Sequence, residues 1–180
     1  TGFDTHGSEA YNLWDRLSEL NDGLTHFFSL IDGTPRAADV FVLVYSEFGR
    51  QVSQNAGQGT DHGQATDSIF VGGGVQGGFY GQAPSLAVAA RDTDAMVATV
   101  DFRSVYATAL NRLGGDPDLT DEAQGRDEAG QPFADLGVFA GAESATVPSG
   151  AEAFGVDGAT VPPADPTVPA AVEPYVTAQV

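Results

Sequence analysis

Three short polar segments carry side chains that could act on an anionic substrate with the help of a metal ion. One lies directly before a predicted helix, one follows an apolar strand, and one lies in a long polar loop. A mixed set of carboxylates and imidazoles suits a divalent metal such as zinc, manganese or magnesium and leaves open positions for a substrate. Such a metal lowers the pKa of a bound water or hydroxyl. The four predicted ligands are Asp4, His6, Asp61 and His62.

The middle segment adds two charged residues, Glu47 and Arg50. We expect Glu47 to be a further ligand or to orient one. The planar guanidinium of Arg50 is suited to clamp an anion with two hydrogen bonds, so Arg50 is the candidate catalytic residue. An alternative stays open, because a carboxylate after an apolar strand needs a counter-charge and Glu47 and Arg50 could form a structural ion pair. Each Asp or His in a polar loop could also be a simple turn or capping residue.

The element that follows the first segment is a predicted amphipathic helix from Glu9 to Ile31. Its apolar residues recur at spacings of three and four, which is one face of a helix. Ser8 is the predicted N-cap, and residues 33–35 end the helix. His26 falls on the solvent face and is left out of the site. The apolar positions are Leu13, Leu17, Leu20, Leu24, Phe27 and Ile31.

Residues 40–45 form an unbroken apolar run, which predicts a central parallel strand buried on both faces. A polar loop over residues 46–67 and a second short strand over residues 68–71 follow, and glycine-rich turns fill residues 72–81. Ligands gather beyond the carboxyl ends of parallel strands. We therefore expect the long loop to fold over that edge of the sheet and to bring the three polar segments together.

A second helix is predicted after Asp101, which can cap it, and Gly114 and Gly115 end it. Residues 131–139 contain apolar side chains that could dock back on the body of the domain. Beyond them the sequence is mostly small residues, proline and acids, which is typical of disorder. The prediction is an α/β domain over residues 1–139 and a disordered acidic tail over residues 140–180.

The composition of the chain limits the classes of partner and metal ligand that we expect. The chain has 25 acidic residues, seven arginines, no lysine and a formal net charge of −18, so nucleic acid is a poor partner. Adaptation to a high-salt or high-GC organism is an alternative cause of this acidity. The absence of cysteine leaves Asp, Glu and His as the strong metal ligands. No apolar run reaches the roughly 20 residues of a membrane span.

Several motifs, taken in order and at their spacing, resemble the bacterial family known as domain of unknown function 1501, over roughly residues 1–139. The motifs are GFDTH (2–6), YSEFGR (45–50), Asn55, GTDHG (59–63), GGFYG (77–81) with PSL (84–86), and DFRSVY (101–106).

The resemblance implies a fold of the alkaline phosphatase type, a mixed sheet flanked by helices, in a protein exported by the twin-arginine route to the periplasm or beyond. By analogy with metal sites of that superfamily, Asp4, His6, Glu47, Asp61 and His62 are similar in placement to ligands of two metals. Two departures argue against two-metal occupancy. Asp4 and His6 are two residues apart rather than four, and Glu47-Phe48 stands where relatives carry Asp-His.

In the superfamily, the nucleophile lies upstream of anything present here. The expectation is therefore that the chain is the C-terminal half of a secreted hydrolase of phosphate or sulfate esters and is inactive alone. Zinc, manganese, magnesium and calcium all stay open as the metal, and a small anionic ester is the expected substrate. The alternative is a non-catalytic exported binding protein that keeps the fold, with the acidic tail as a spacer or a weak calcium-attracting segment.

Overall fold

The structure is a computed structural model, and it describes residues 2–87, 91–92, 94–114, 125–139 and 176–179. Its helices are α1 (Glu9–Ile31), a short 3₁₀ helix (Ala37–Asp39) and α2 (Phe102–Arg112). Its strands are β1 (Phe41–Val44), β2 (Gly49–Arg50), β3 (His62–Gly63), β4 (Asp67–Gly72), β5 (Gly78–Tyr80), β6 (Arg91–Asp92), β7 (Ala95–Met96) and β8 (Val176–Gln179).

The first helix has the predicted bounds, but its apolar face is only partly covered. None of its residues is buried, and Trp14 is 72% exposed. Ser8 occupies the N-cap position with a left-handed backbone, and its side chain makes no capping hydrogen bond. Near its C-terminal end, Phe28 lies against Gly72, whose positive φ of 121° and lack of a side chain leave room for the ring. The helix is thus attached to the sheet near the end of β4.

The largest sheet has the strand order β1-β4-β8-β5. β1 pairs with β4 antiparallel, and both of its faces are only half-buried. The prediction of a central parallel strand buried on both faces is therefore wrong. An apolar run does not encode the direction of its partner, and the chain between β1 and β4 reverses so that β4 returns antiparallel. Only β5 and β8 are parallel among the described strand pairs.

The long polar loop after β1 contains a small hairpin that was not predicted. In it, β2 pairs antiparallel with β3, so that Arg50 stands opposite His62 and Gly49 opposite Gly63. Two-residue strands leave almost no periodic signal in a sequence. The consequence is that the second and third polar segments lie side by side.

The core forms between β4, α2 and the segment over residues 131–139. Phe70, Val105, Leu136, Val138 and Phe139 are buried together, and Phe41 and Leu43 of β1 pack against them. The prediction that the segment over 131–139 docks on the body is confirmed. A buried polar link strengthens this contact, because the Thr108 hydroxyl accepts a hydrogen bond from the Leu136 N–H at 2.8 Å and donates to the Ser104 carbonyl at 2.7 Å.

Asp101 caps α2, as predicted. Its carboxylate accepts hydrogen bonds from the Arg103 N–H at 2.9 Å and from the Arg103 guanidinium at 2.9 and 2.7 Å. The same guanidinium lies over the Phe133 ring, with Cζ 4.0 Å from the ring centre. The hydrogen bonds from Arg103 hold the pKa of Asp101 below its ordinary value of 3.8.

We predict that the cap makes stability depend on pH. Because the folded-state pKa is depressed, the contribution is present above the ordinary Asp pKa and is lost as the pH falls through the depressed value. Asp101→Ala should lower the free energy of unfolding by about 0.5–2 kcal/mol at neutral pH and by clearly less near pH 2. Asp101→Asn, which keeps a capping oxygen without the charge, is the control. Urea denaturation at both pH values measures this, and an equal loss at both would contradict it.

The described chain is thus a mixture of helices and small, mainly antiparallel sheets, which agrees with the α/β class. No helix in these residues combines the length and hydropathy that a membrane span requires. Of the predicted disordered tail over residues 140–180, residues 176–179 form β8, which differs from that prediction. Residues 140–175 and 180 lie outside the described residues.

Candidate metal centre

A single carboxylate oxygen lies at the centre of the candidate site. Asp4 Oδ1 is 2.8 Å from His6 Nδ1, 2.8 Å from His62 Nε2 and 3.1 Å from an Arg50 guanidinium nitrogen. The ligand atoms of Asp4, His6 and His62 all lie within 4.8 Å of one another. The centres of the two imidazole rings are 4.8 Å apart, and the ring planes are inclined by 45°. Three residues from two distant stretches of the chain therefore meet.

Backbone pairing between residues 5–9 and residues 57–60 brings the first and third polar segments together. The Ser8 N–H donates to the Gly57 carbonyl and the Glu9 N–H to the Gln58 carbonyl, both at 3.0 Å. Gly59 makes this approach sterically feasible, because a Cβ there would lie 2.3 Å from the His6 carbonyl carbon. The glycine is thus required for space, since its neighbour is backbone that has little freedom to move.

Glu9 in the first turn of α1 stabilises the same contact between residues 5–9 and residues 57–60. Glu9 accepts hydrogen bonds from the hydroxyls of Thr5 at 3.0 Å and of Thr60 at 2.8 Å, one on each carboxylate oxygen. Thr5 lies between Asp4 and His6 in the sequence and is buried. One carboxylate therefore links the two segments that carry the ligands.

The Phe48 side chain, directly before β2, packs against the imidazole ring of His62. The Phe48 ring stacks on the His62 imidazole, with the centres 3.8 Å apart and the planes inclined by 10°. The Arg50 guanidinium lies 5.1 Å from the centre of the Phe48 ring. These contacts restrict the orientation of the imidazole, so that its Nε2 points at Asp4.

The Arg50 side chain is held by hydrogen bonds to other residues of the chain. Its guanidinium donates to the Thr60 carbonyl at 2.9 Å, to the Phe3 carbonyl at 2.7 Å and to Asp4 at 3.1 Å. The alternative of an ion pair between Glu47 and Arg50 is not what forms in the described chain, where the carboxylate partner of Arg50 is Asp4. Its predicted role as an anion clamp stays a prediction.

The contacts of Asp4 keep its carboxyl group ionised. The hydrogen bond from His62 is the main cause that lowers the pKa of Asp4, and His6 and Arg50 add to it. Metal ligands must be deprotonated, and this carboxylate meets that condition at neutral pH.

The predicted site residues divide into two groups. Asp4, His6, His62 and Arg50 come together, whereas Glu47 and Asp61 are not part of the group of ligand atoms. Glu47 is exposed, and Asp61 accepts a hydrogen bond from the Asn55 amide at 2.9 Å. His26 is exposed on α1, away from the cluster, as predicted.

Sequence reasoning gave no role to the residues that orient the cluster. The bracing carboxylate of Glu9 and the stacked ring of Phe48 were not predicted, nor was the amide of Asn55. Phe48 and Asn55 belong to the motifs that carry the family resemblance, and that was the one signal available for them.

The comparisons with known proteins give one match. The model of the family described as protein of unknown function (DUF1501) matches residues 1–131. Neither the curated proteins nor the solved structures gave a match. The match spans the segments that carry the candidate ligands, including the hairpin that contains His62, and α2, so the chain belongs to the DUF1501 family of proteins of unknown function.

Proposed function

We propose that Asp4, His6 and His62 bind one divalent metal ion, and that this site serves the hydrolysis of phosphate or sulfate esters. The observation that carries the proposal is the convergence itself. Asp4 and His62 are 58 residues apart in the sequence, yet their ligand atoms meet at 2.8 Å, and His6 joins the same oxygen. Two imidazole nitrogens and one carboxylate oxygen this close together offer a mixed set of nitrogen and oxygen ligands for a divalent metal.

The chemistry of the three ligands fits a transition metal better than calcium or magnesium. Calcium and magnesium prefer all-oxygen ligands, whereas imidazole suits zinc, iron and related ions. We therefore favour zinc among the ions expected from the sequence. One ion is favoured over two, because the Asp61 carboxylate bonds to Asn55 and Glu47 lies outside the group of ligand atoms.

Exposure of the cluster supports a catalytic rather than a structural metal. The side chains of His6, Asp4 and His62 are 46, 54 and 47% exposed, so water and a substrate can reach the centre. A structural zinc site is usually closed by four protein ligands, while a catalytic one has three and an open position. When bound, the metal supplies Lewis acidity and an activated water. The chain's own part is to hold Asp4 ionised and both imidazoles aimed at it.

An alkaline-phosphatase type of fold and an exported location belong to the same proposal. They rest on what the resemblance of the motifs to the DUF1501 family implies, and the family match supports that resemblance. The mixed four-stranded sheet with helices beside it is compatible with such a fold.

Two observations favour a second candidate, a metal-binding protein without catalysis. Arg50, the cation expected to clamp an anionic ester, gives three hydrogen bonds to the chain itself. The formal net charge of −18 also repels an anionic substrate.

Metal content and ester hydrolysis test the proposal together. The chain, and any longer protein that contains it, is purified without chelator, and metal is measured by plasma mass spectrometry. We expect about one equivalent in the wild type and in His26→Ala, the control at the exposed histidine, and a clear loss in His62→Ala. Hydrolysis of aryl phosphate and aryl sulfate should fall with the metal.

The outcomes separate the two candidates. Metal without hydrolysis in the longest form of the protein favours the non-catalytic candidate. No stoichiometric metal in the wild type contradicts both, and equal metal in wild type and His62→Ala contradicts the assignment of the ligands.

A further inference from the structure

The Asn55 side chain connects the two halves of the candidate site. Its Nδ2 group donates to the His6 carbonyl at 3.1 Å and to Asp61 Oδ1 at 2.9 Å. Its Oδ1 accepts from the Gly57 N–H at 2.8 Å and the Gly59 N–H at 3.1 Å. Two donors and two acceptor sites are the full capacity of an amide, so every one of them is used.

The orientation of this amide is fixed by its neighbours. A backbone N–H can only donate, so the atom that contacts the N–H groups of Gly57 and Gly59 must be the oxygen. The nitrogen then necessarily faces the His6 carbonyl and the Asp61 carboxylate. The oxygen side shapes the turn over residues 55–59, and the nitrogen side reaches out of the turn to the ligand-bearing segments.

We infer that Asn55 is a positioning residue of the metal centre. Through its nitrogen it fixes the backbone of His6 on one side and the residue before His62 on the other. Asp61 then acts as the acceptor that orients the amide rather than as a ligand. Asn55 therefore acts together with the backbone pairing and the Glu9 carboxylate to set the distance between the two imidazoles, and it binds no metal itself. The use of zinc affinity to test this inference rests on the function proposed above.

Asn55→Asp is the sharpest test of this role. The aspartate keeps an oxygen for the N–H groups of Gly57 and Gly59 but loses both donors, and it places a carboxylate against Asp61. We expect zinc affinity, measured by calorimetry, to fall about 10- to 100-fold, as when outer-shell partners of a metal site are removed. In the metal-free protein, the nuclear Overhauser contacts between the His6 and His62 rings should be lost.

Asn111→Asp is the matched control. Asn111 lies on α2 and donates to Asp135 of the segment over residues 131–139 at 2.9 Å, so its change creates the same kind of carboxylate pair outside the site. It should leave zinc affinity and the ring contacts at their wild-type values. Asn55→Asp with Asp61→Asn restores a donor between positions 55 and 61 and leaves only the bond to the His6 carbonyl missing. Its affinity should lie between those of the wild type and the single variant.

The outcomes decide the role of Asn55 separately from the proposed function. Wild-type ring contacts in Asn55→Asp, or zinc affinity equal to that of Asn111→Asp, would overturn the inference. If circular dichroism shows Asn55→Asp unfolded, the double variant carries the test alone, and wild-type affinity in it would overturn the role of the His6 bond. If the wild type binds no zinc, the proposed function fails and the ring contacts alone decide.

Discussion

Replacing Gly59 by alanine is expected to break the candidate site and to destabilise the chain. The added Cβ would lie 2.3 Å from the His6 carbonyl carbon, 2.4 Å from the Thr5 carbonyl oxygen and 2.6 Å from the Gly7 nitrogen. All three are backbone atoms, so no side chain can rotate away. We expect a loss near the upper end of the roughly 1–3 kcal/mol that overpacking costs. Metal affinity should fall as well, because residues 5–7 must separate from residues 57–60.

Gly23→Ala is the control for this change. Gly23 lies within α1, and a Cβ there would meet nothing within 4 Å. Alanine is the better helix former, so this variant should gain about 0.5–1 kcal/mol and bind metal as the wild type does. Thermal unfolding and zinc calorimetry on the two variants give the comparison. A Gly59→Ala protein that melts and binds like the wild type would show that the two segments are not packed in this way.

Asp4→Asn is expected to have the largest effect on metal binding. Asp4 provides the one carboxylate among the three ligands, and both imidazoles are oriented by the same oxygen. A neutral amide has nearly the same shape but is a poor metal ligand. Loss of a ligand should exceed the roughly 10- to 100-fold effect of losing an outer-shell partner, so we expect no stoichiometric zinc at micromolar protein.

Asp61→Asn is the comparison for Asp4→Asn. An asparagine at position 61 can still accept the hydrogen bond that Asn55 gives to Asp61 in the wild type. It should therefore bind zinc nearly as tightly as the wild type, by calorimetry under the same conditions. Equal losses in the two variants would make Asp61 a ligand, as the sequence predicted, and would contradict the division of roles described above.

The helices could be predicted because their signals are local. The bounds of α1 follow from apolar spacing, and the cap at Asp101 follows from its position before an apolar period. The docking of residues 131–139 was also readable, because Leu136, Val138 and Phe139 form an apolar group in a polar stretch. These patterns lie within a few residues of the elements that they specify.

Strand pairing could not be predicted in the same way. The apolar run that forms β1 fits a buried parallel strand and a half-exposed antiparallel strand equally well. The expectation for Glu47 rested on the carboxyl edge of a parallel sheet, so it depended on a pairing that does not form. The pairing of Arg50 with His62 is a non-local event between two-residue strands.

The residues that cluster in the candidate site could be predicted more readily than the residues that support them. Asp4, His6 and His62 stood out because the chain has only three histidines and two of them lie close to an aspartate in recognisable motifs, GFDTH and GTDHG. Asn55, in contrast, is one amide in a loop of glycines and polar residues, where turn-forming asparagines are common. Its four hydrogen bonds depend on two segments meeting, and so they have no signature in the local sequence.

X-ray absorption on the zinc-loaded chain tests most directly whether two imidazoles and one carboxylate share one ion. The account predicts two imidazole nitrogens and oxygen ligands at about 2.0–2.2 Å, with one imidazole lost in His62→Ala and none lost in His26→Ala. A wild-type spectrum with oxygen ligands alone, or one unchanged in His62→Ala, would contradict it.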